Sequence, residues 1–375
     1  MEYKELADYS GARISVIGVG GGGGNAINHM IASYSWGSRF GAVDFIVANT
    51  DALALEHSLA PLRILLGPSC CKGEGTRGDI NLGRRAAEES LVAIKEAVND
   101  ADLVFVVAGM GGGTGSGAAP VIAKVAEEVK AFTIGVVTKP FYFEGKRRLA
   151  AAEAGIQTFL DVADSLIIIP GDRLVQLAPK NINFLGMLKA TDEALHNAVR
   201  GISDQIVHPG VVCLDFADVF GVFKGGGKAA VGFGAASGES RARDAALSAI
   251  ASPLLEDVSI GNAQGVLMNI TCGPDLTLDE VAEAAGIIQE EANAEAQILF
   301  STVFDDSVGD EMRITVIATG LNEDLITGTS PHKDVSEMDS QEEPTPETIR
   351  HKTRSATDFQ FDDDDESIPA YIKTS

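Results

Sequence analysis

The chain has 375 residues, 45% of them apolar and 6% aromatic, enough to bury a core over two domains or over one large domain with an appendage. Its formal charge is −25, and residues 323–375 hold 14 acidic against 5 basic side chains. That acidity excludes general attraction to nucleic acid or to an anionic membrane as the main activity, and no stretch approaches the ~18 to 20 apolar residues of a membrane helix. Met1–Asp8 has no apolar signal-peptide region, so the expected setting is intracellular. Cys70, Cys71, Cys213 and Cys272 show no Cys-x-x-Cys spacing and predict free thiols in a reducing compartment.

In chain order, the apolar run Ile14–Val19 enters five glycines, Gly20–Gly24, then Asn25 and a helical spacing as far as Ile31. This predicts strand, glycine turn and helix. Gly18, Gly20 and Gly23 satisfy Gly-x-Gly-x-x-Gly, a weak match inside a glycine run and the only support for a nicotinamide-binding oxidoreductase. Asn25 either caps the helix or turns its amide toward a ligand. A second strand, Val43–Ala52, ends in Asn49, Thr50 and Asp51, where a parallel strand opens onto a ligand crevice. A short third strand, Arg63–Gly67, leads to the polar glycine loop Lys72–Asp79 and to a helix carrying Arg84 through Ala97.

Leu103–Ala108 is unbroken apolar sequence, the mark of a parallel strand buried on both faces. It runs into Gly111, Gly112, Gly113, Thr114, Gly115, Ser116 and Gly117, and the spacing after Pro120 is helical. Glycines let backbone N–H groups approach closely, and a helix N-terminus favours negative charge, so this is an anion site. No Gly-Lys-Ser/Thr follows, which excludes a Walker A loop. Ala131–Pro140 is a further buried strand, Phe141–Arg148 opens a helix, and Asp164–Asp172 is the last strand of this half. The alternation predicts an α/β fold with a doubly wound parallel sheet.

A long helix around Phe184–Ile206 joins this half to the next. His208–Val219 places Asp215 and Asp218 in one loop, where two solvated acids are the plain alternative to a functional pair. Strands at 265–271, 297–304 and 312–319 alternate with helices near 241–253 and 277–292, a smaller mixed α/β domain. From Asn322 the composition turns to Pro, Ser, Thr and acid, too polar to pack a core. Asp362–Glu366 then precede Ser367–Lys373, an apolar knot on an acidic tether suited to docking.

Gly111–Gly117 resembles the signature loop of the tubulin and FtsZ superfamily. Val16–Ala26, Asn49–Ala52, Ala108–Pro120, Val137–Gly145, Leu214–Val219, Ser252–Asp257, Asn269–Thr271 and Ile317–Gly320 match FtsZ, the bacterial tubulin homologue of cell division, in that family's order. Ile368–Ile372 resembles its terminal peptide. The resemblance implies a flexible N-terminus at 1–11, a Rossmann-like GTP-binding domain at 12–182 and a central helix at 183–206. A C-terminal α/β polymerisation domain at 207–321, a disordered acidic linker at 322–366 and a partner-binding peptide at 367–375 would follow.

It also implies GTP or GDP as ligand with Mg²⁺ held mainly by phosphates and water. The phosphates would lie on Gly21, Gly22, Gly23 and Gly24 and on Gly111 through Gly117, with Gly113, Thr114 and Gly115 nearest. Glu144 and Arg148 match the family's ribose and phosphate contacts, and Asn25 and Asp192 match the base-reading positions. An Asp carboxylate accepts from both guanine N1–H and N2–H₂, a donor pair adenine lacks. Asp215 and Asp218 of the next subunit would complete the site, making hydrolysis depend on head-to-tail assembly into the filaments of a division ring. Partners would be further copies of the chain and, through Ile368–Ile372, membrane-tethering and regulatory division proteins. Nucleic acid binding and direct membrane insertion are not expected. The location would be cytoplasmic, at the inner face of the cell membrane at the division site.

The sequence departs from the family in several places. Cys213 stands where FtsZ has an Asn that contacts the neighbouring nucleotide, which suggests, as the alternative function, a GTP-binding filament scaffold with little hydrolysis. Thr76–Asp79 replaces a Gly-Ala-Gly-Ala-Asn pattern, and Arg77 either meets the γ-phosphate or faces solvent. Leu188 replaces a ring that stacks on guanine, and the segments Ser35–Phe40 and Gly225–Gly227 are unusual.

Overall fold

The computed structural model describes residues 12–33, 43–178, 181–207, 216–223, 227–255 and 260–321. The expectations for residues 1–11, Ser35–Phe40, Cys213, Asp215 and everything after Leu321 fall outside these residues. The first half alternates strand and helix. Its strands are β1 (Ile14–Val19), β2 (Val43–Asn49), β3 (Leu62–Leu65), β4 (Leu103–Gly109), β5 (Phe132–Lys139) and β6 (Ser165–Pro170). Between them lie α1 (Gly20–Ser33), α2 (Ala52–Glu56), α3 (Ile80–Glu89), α4 (Leu91–Val98), α5 (Gly113–Glu128) and α6 (Lys146–Leu160), with α7 (Gly171–Leu177) after β6. The six strands are parallel in the order β3-β2-β1-β4-β5-β6. The order reverses between β1 and β4, so a ligand crevice is expected outside their carboxyl ends.

The long apolar runs follow from burial on both faces. In β1 and β4, Ile14, Val16, Leu103, Phe105 and Val107 enter one core with side chains of α1 and of α8 (Phe184–Val207). Their neighbours Ile17, Val19, Val104, Val106 and Ala108 enter the opposite core with α3, α4, α5 and α6. Successive strand residues point to opposite faces, so neither face can be polar.

The second half contains α9 (Phe216–Phe223), β7 (Gly227–Ser237), α10 (Arg241–Ile250), β8 (Gly265–Cys272), α11 (Leu278–Glu291), β9 (Gln297–Phe304) and β10 (Glu311–Leu321). Its strands continue the same sheet in the order β7-β10-β8-β9. β7 pairs in parallel with β6 through Ser165–Ile167 and Gly227–Ala229, while β10 pairs antiparallel with β7 and β8. The core that holds α8 also takes in Val219, Val222, Ala229, Leu267 and Ile317, so the two halves share one apolar interior.

Three local differences from the sequence expectation have physical causes. The stretch Arg84–Ala97 is two helices parted at Ser90, whose Oγ accepts from the Gly67 amide at 3.0 Å and so ties the β3 loop to the helix junction. α5 starts at Gly113, seven residues before Pro120, which sits inside the helix without the N–H that Ser116's carbonyl would accept. The strand at 164–172 stops at Pro170, and Gly171 begins α7.

Candidate nucleotide cleft

Two glycine turns meet at the point where the strand order reverses. Gly20 opens α1 at φ +71, and a Cβ there would stand 3.2 Å from the Gly115 amide of the second turn. Gly111 has φ +97 and donates its amide to Ser116 Oγ at 2.8 Å, which closes the turn before α5. Gly112 caps α5 without any side-chain hydrogen bond. The neighbouring helices differ: Asp51 caps α2 by accepting from the amides of Leu53 and Ala54, and Asp79 caps α3 by accepting from those of Asn81 and Leu82. The first turns of α1 and α5 thus keep amides available for an anion, while the acids are spent on other helices.

These turns open on a cleft of about 430 Å³, within the ~300 to 1,000 Å³ usual for small-molecule sites. Of the expected ligand residues, it gathers Gly21, Gly22, Asn25, Gly112, Gly113, Thr114, Gly115, Glu144, Arg148 and Asp192. Gly23, Gly24, Gly111, Ser116 and Gly117 do not line it. Gly23 and Gly117 act in packing: a Cβ on Gly23 would lie 2.3 Å from the Val107 carbonyl oxygen, and one on Gly117 2.2 Å from that of Ile80. α1 and α3 can approach the sheet and α5 this closely only because those positions are glycine.

One wall carries hydroxyls. Thr114 Oγ1 lies 2.7 Å from Thr50 Oγ1 and 3.3 Å from Thr76 Oγ1, which brings β2, α5 and the loop before α3 to one point. Another wall carries an ion pair. Glu144 pairs with Arg148 one helical turn later and also accepts from the Phe141 amide at 3.0 Å. Lys139 reaches the cleft while pairing with Glu153 at 2.7 Å. The third wall belongs to α8, with Leu188, Thr191 and Asp192. Burial pushes the Asp192 carboxyl up to about 6, because the charged form loses hydration there with no cation to replace it.

Sequence reasoning passed over Thr76, Thr138, Lys139, Pro140, Phe141 and Thr191 as ligand residues, though all line the cleft. Thr138–Pro140 carried a usable signal, the carboxyl end of a parallel strand. Thr76 carried none beyond its glycine-rich setting. Asp218 lies on α9, exposed and outside this cleft. From Asp192 to Val207, α8 carries the chain 15 residues, about 22 Å at ~1.5 Å per residue, away from the cleft before α9 begins.

Comparison with known proteins gives consistent relatives. The family model for the tubulin/FtsZ family GTPase domain matches residues 13–179, and that for the FtsZ family C-terminal domain matches residues 227–322. The cell division protein FtsZ of Coxiella burnetii is 43% identical over 96% of this chain and 96% of that protein. The protein of the same description from Magnetospirillum gryphiswaldense is 45% identical over 92% of this chain and 60% of its own length. Among solved structures, an empty FtsZ dimer from M. jannaschii superposes with a TM-score of 0.79 at 36% identity, covering 84% of this chain and 90% of that one.

Proposed function

The chain belongs to the FtsZ family of GTPases, and on that premise we propose that it serves cell division by assembling head-to-tail and hydrolysing GTP at the contact between copies. The triphosphate rests on the first turns of α1 and α5, over Gly21, Gly22 and Gly112–Gly115. Glu144 receives ribose hydroxyls and Arg148 a phosphate, since a carboxylate accepts from hydroxyls and a guanidinium donates to oxyanions. Asn25 and Asp192 read guanine. The observation that carries this reading is the convergence of two side-chain-free helix N-termini on a cleft whose α8 wall supplies a desolvated carboxyl.

Among the described residues no group of three or more His, Cys, Asp or Glu side chains is placed to hold a metal. Mg²⁺ would be held mainly by phosphate oxygens and water, its usual habit. The ion would neutralise charge on the β- and γ-phosphates, while this chain's amides and hydroxyls position the nucleotide.

The attacking water is oriented by Asp215 and Asp218 of the adjoining copy. The placement of α9 supports this division of labour, because its Phe220 stacks on Phe132 at the start of β5 while the cleft lies at the other end of that strand, beside Lys139. A relative's solution as a dimer supports pairing of copies. Phosphate release with GTP and Mg²⁺ is to be measured across protein concentrations. Turnover per subunit rises with concentration if the site is shared, and a concentration-independent rate sinks the sharing.

The competing possibility, a GTP-binding scaffold with little hydrolysis, rests on Cys213 in place of the family's Asn. It requires that Cys213→Asn raise turnover sharply. The domain limits read from the sequence and the docking role of Ile368–Ile372 for membrane-tethering partners complete the proposal.

A further inference from the structure

The loop between β3 and α3 is held in an unusual backbone. Lys72, Gly73, Gly75, Arg77 and Gly78 all have positive φ, and Arg77 stands at +53, where glycine rests without cost and arginine does not. The loop is fastened on both sides of this residue. The Gly75 amide donates to the Thr50 carbonyl at 3.1 Å, and Thr76 Oγ1 lies 3.3 Å from Thr114 Oγ1 on the first turn of α5. Asp79 then caps α3. Such anchoring keeps a long cationic side chain at a strained position directly after a cleft-lining residue.

Charge in the cleft makes that cation useful. The charged side chains lining it are Lys139 and Arg148 against Asp51, Glu144 and Asp192. Both cations are already engaged, Lys139 with Glu153 and Arg148 with Glu144. Apart from Arg148, already given to a phosphate in the site proposed above, a nucleoside triphosphate therefore meets amides, hydroxyls and a Lys139 held by Glu153. Among the described residues Arg77 pairs with Glu74 at 2.9 Å, with the two side chains 81% and 65% exposed, an ion pair that costs little to break.

Direction follows from the sheet. α8 packs on one face, and α3 with α5 on the other. A nucleotide with its guanine on α8 and its phosphates on α5 would extend toward Thr76, whose Oγ1 lies 3.3 Å from Thr114 Oγ1 and which precedes Arg77.

We propose that Arg77 is a specificity-determining residue whose guanidinium leaves Glu74 for the terminal phosphate of GTP, so that the chain separates GTP from GDP by a side chain as well as by backbone amides. This rests on the nucleotide site proposed above. Glu74 is held in place by its bridge to Asp51, so it remains the resting partner when the terminal phosphate is gone.

The test is nucleotide affinity by fluorescence or calorimetry with Mg²⁺, at protein concentrations below assembly. Arg77→Gly removes the cation and suits φ +53, so the loop keeps its shape. It is expected to weaken GTP binding about tenfold, as loss of a charge-assisted contact does, while GDP binding stays within about twofold. Glu74→Gln, which releases Arg77, tightens GTP and not GDP. Equal losses for both nucleotides, or no loss for either, overturn the proposal. So does a change confined to the concentration needed for assembly, which would put Arg77 at the contact between copies. Failure of the unaltered chain to bind GDP would instead bring down the site assignment itself, and this inference with it.

Discussion

Asp192 shows how much one buried carboxyl can decide. Burial raises it from the ordinary 3.8 to about 6, so the empty cleft favours its neutral form and charging it opposes folding increasingly between those two values. On the proposed reading, guanine would reverse the preference by offering two donors to the charged form. GTP affinity is therefore expected to fall as pH drops through about 6, and binding near that pH should release protons, which calorimetry in buffers of different ionisation enthalpy will read. Asp192→Asn exchanges one acceptor for a donor. GTP should weaken at least about tenfold while xanthosine triphosphate, which presents a carbonyl at that edge, gains relative to it. Glycines divide by the same kind of reasoning. Gly23→Ala drives a Cβ to 2.3 Å from the Val107 oxygen, a backbone clash expected to cost a few kcal/mol of stability. A Cβ on Gly21 or Gly112 meets no atom within 4 Å, so those alanine variants should fold normally and lose nucleotide affinity. Thermal melts paired with binding isotherms distinguish the two classes.

α8 carries Asp192, His196, Arg200 and Asp204 at a four-residue interval, which places these four along one stripe of the helix. The stripe begins in the cleft and ends in the second half of the chain. Arg200 Nε donates to Asp204 Oδ2 at 2.8 Å, and its Nη2 to Asp305 Oδ2 at 3.0 Å after β9. His196, edge-on to His29 of α1, is pushed down to about 4 by burial and by the Arg200 charge, so it stays neutral at physiological pH. Asp204 is 1% exposed. Arg200→Met removes one guanidinium from this part-buried network and should destabilise the fold by ~1 to 3 kcal/mol. Adding Asp204→Leu should recover much of the loss; if the double variant unfolds as easily as the single one, the pair is not the cause. The α8 helix itself was legible in the sequence because its apolar period is long and uninterrupted. The parallel strands were legible too, since burial on both faces leaves no polar residue to blur the run. Ser90 was not, because a helix break made by a hydroxyl serving a distant amide has no local pattern. Pro120 misled in the opposite direction: proline usually marks a helix start, and here Gly113, Gly115 and Gly117 had already begun one, with Gly117 against α3, Gly113 against its cap Asp79 and Gly115 against Gly109 at the end of β4, each too close for a side chain. In the site, the glycine turns and the Glu144–Arg148 spacing could be read, whereas the roles of individual glycines depended on which backbone passes behind each.

At the scale of the molecule, α9 and the cleft lie at opposite ends of the sheet: Phe220 of α9 stacks on Phe132 at the start of β5, whereas Lys139 at the end of β5 lines the cleft, so a copy's own Asp218 is remote from its own nucleotide site. A surface that meets a different surface on the next copy does not close on itself, so repetition gives an open filament. This arrangement makes a prediction that no self-sufficient site could meet. On the proposed reading, a copy carrying Asp192→Asn keeps its acids but would lose its purine contact, and one carrying Asp218→Ala keeps its cleft but would lose an acid. Each alone should hydrolyse GTP poorly. Mixed in equal amounts and free to co-assemble, about a quarter of the contacts join an intact cleft to an intact acid loop, if copies are incorporated at random. Activity should therefore rise toward about one quarter of the unaltered rate. A mixture no faster than the mean of its parts would mean that each copy works alone, and the placement of α9 would then need another explanation.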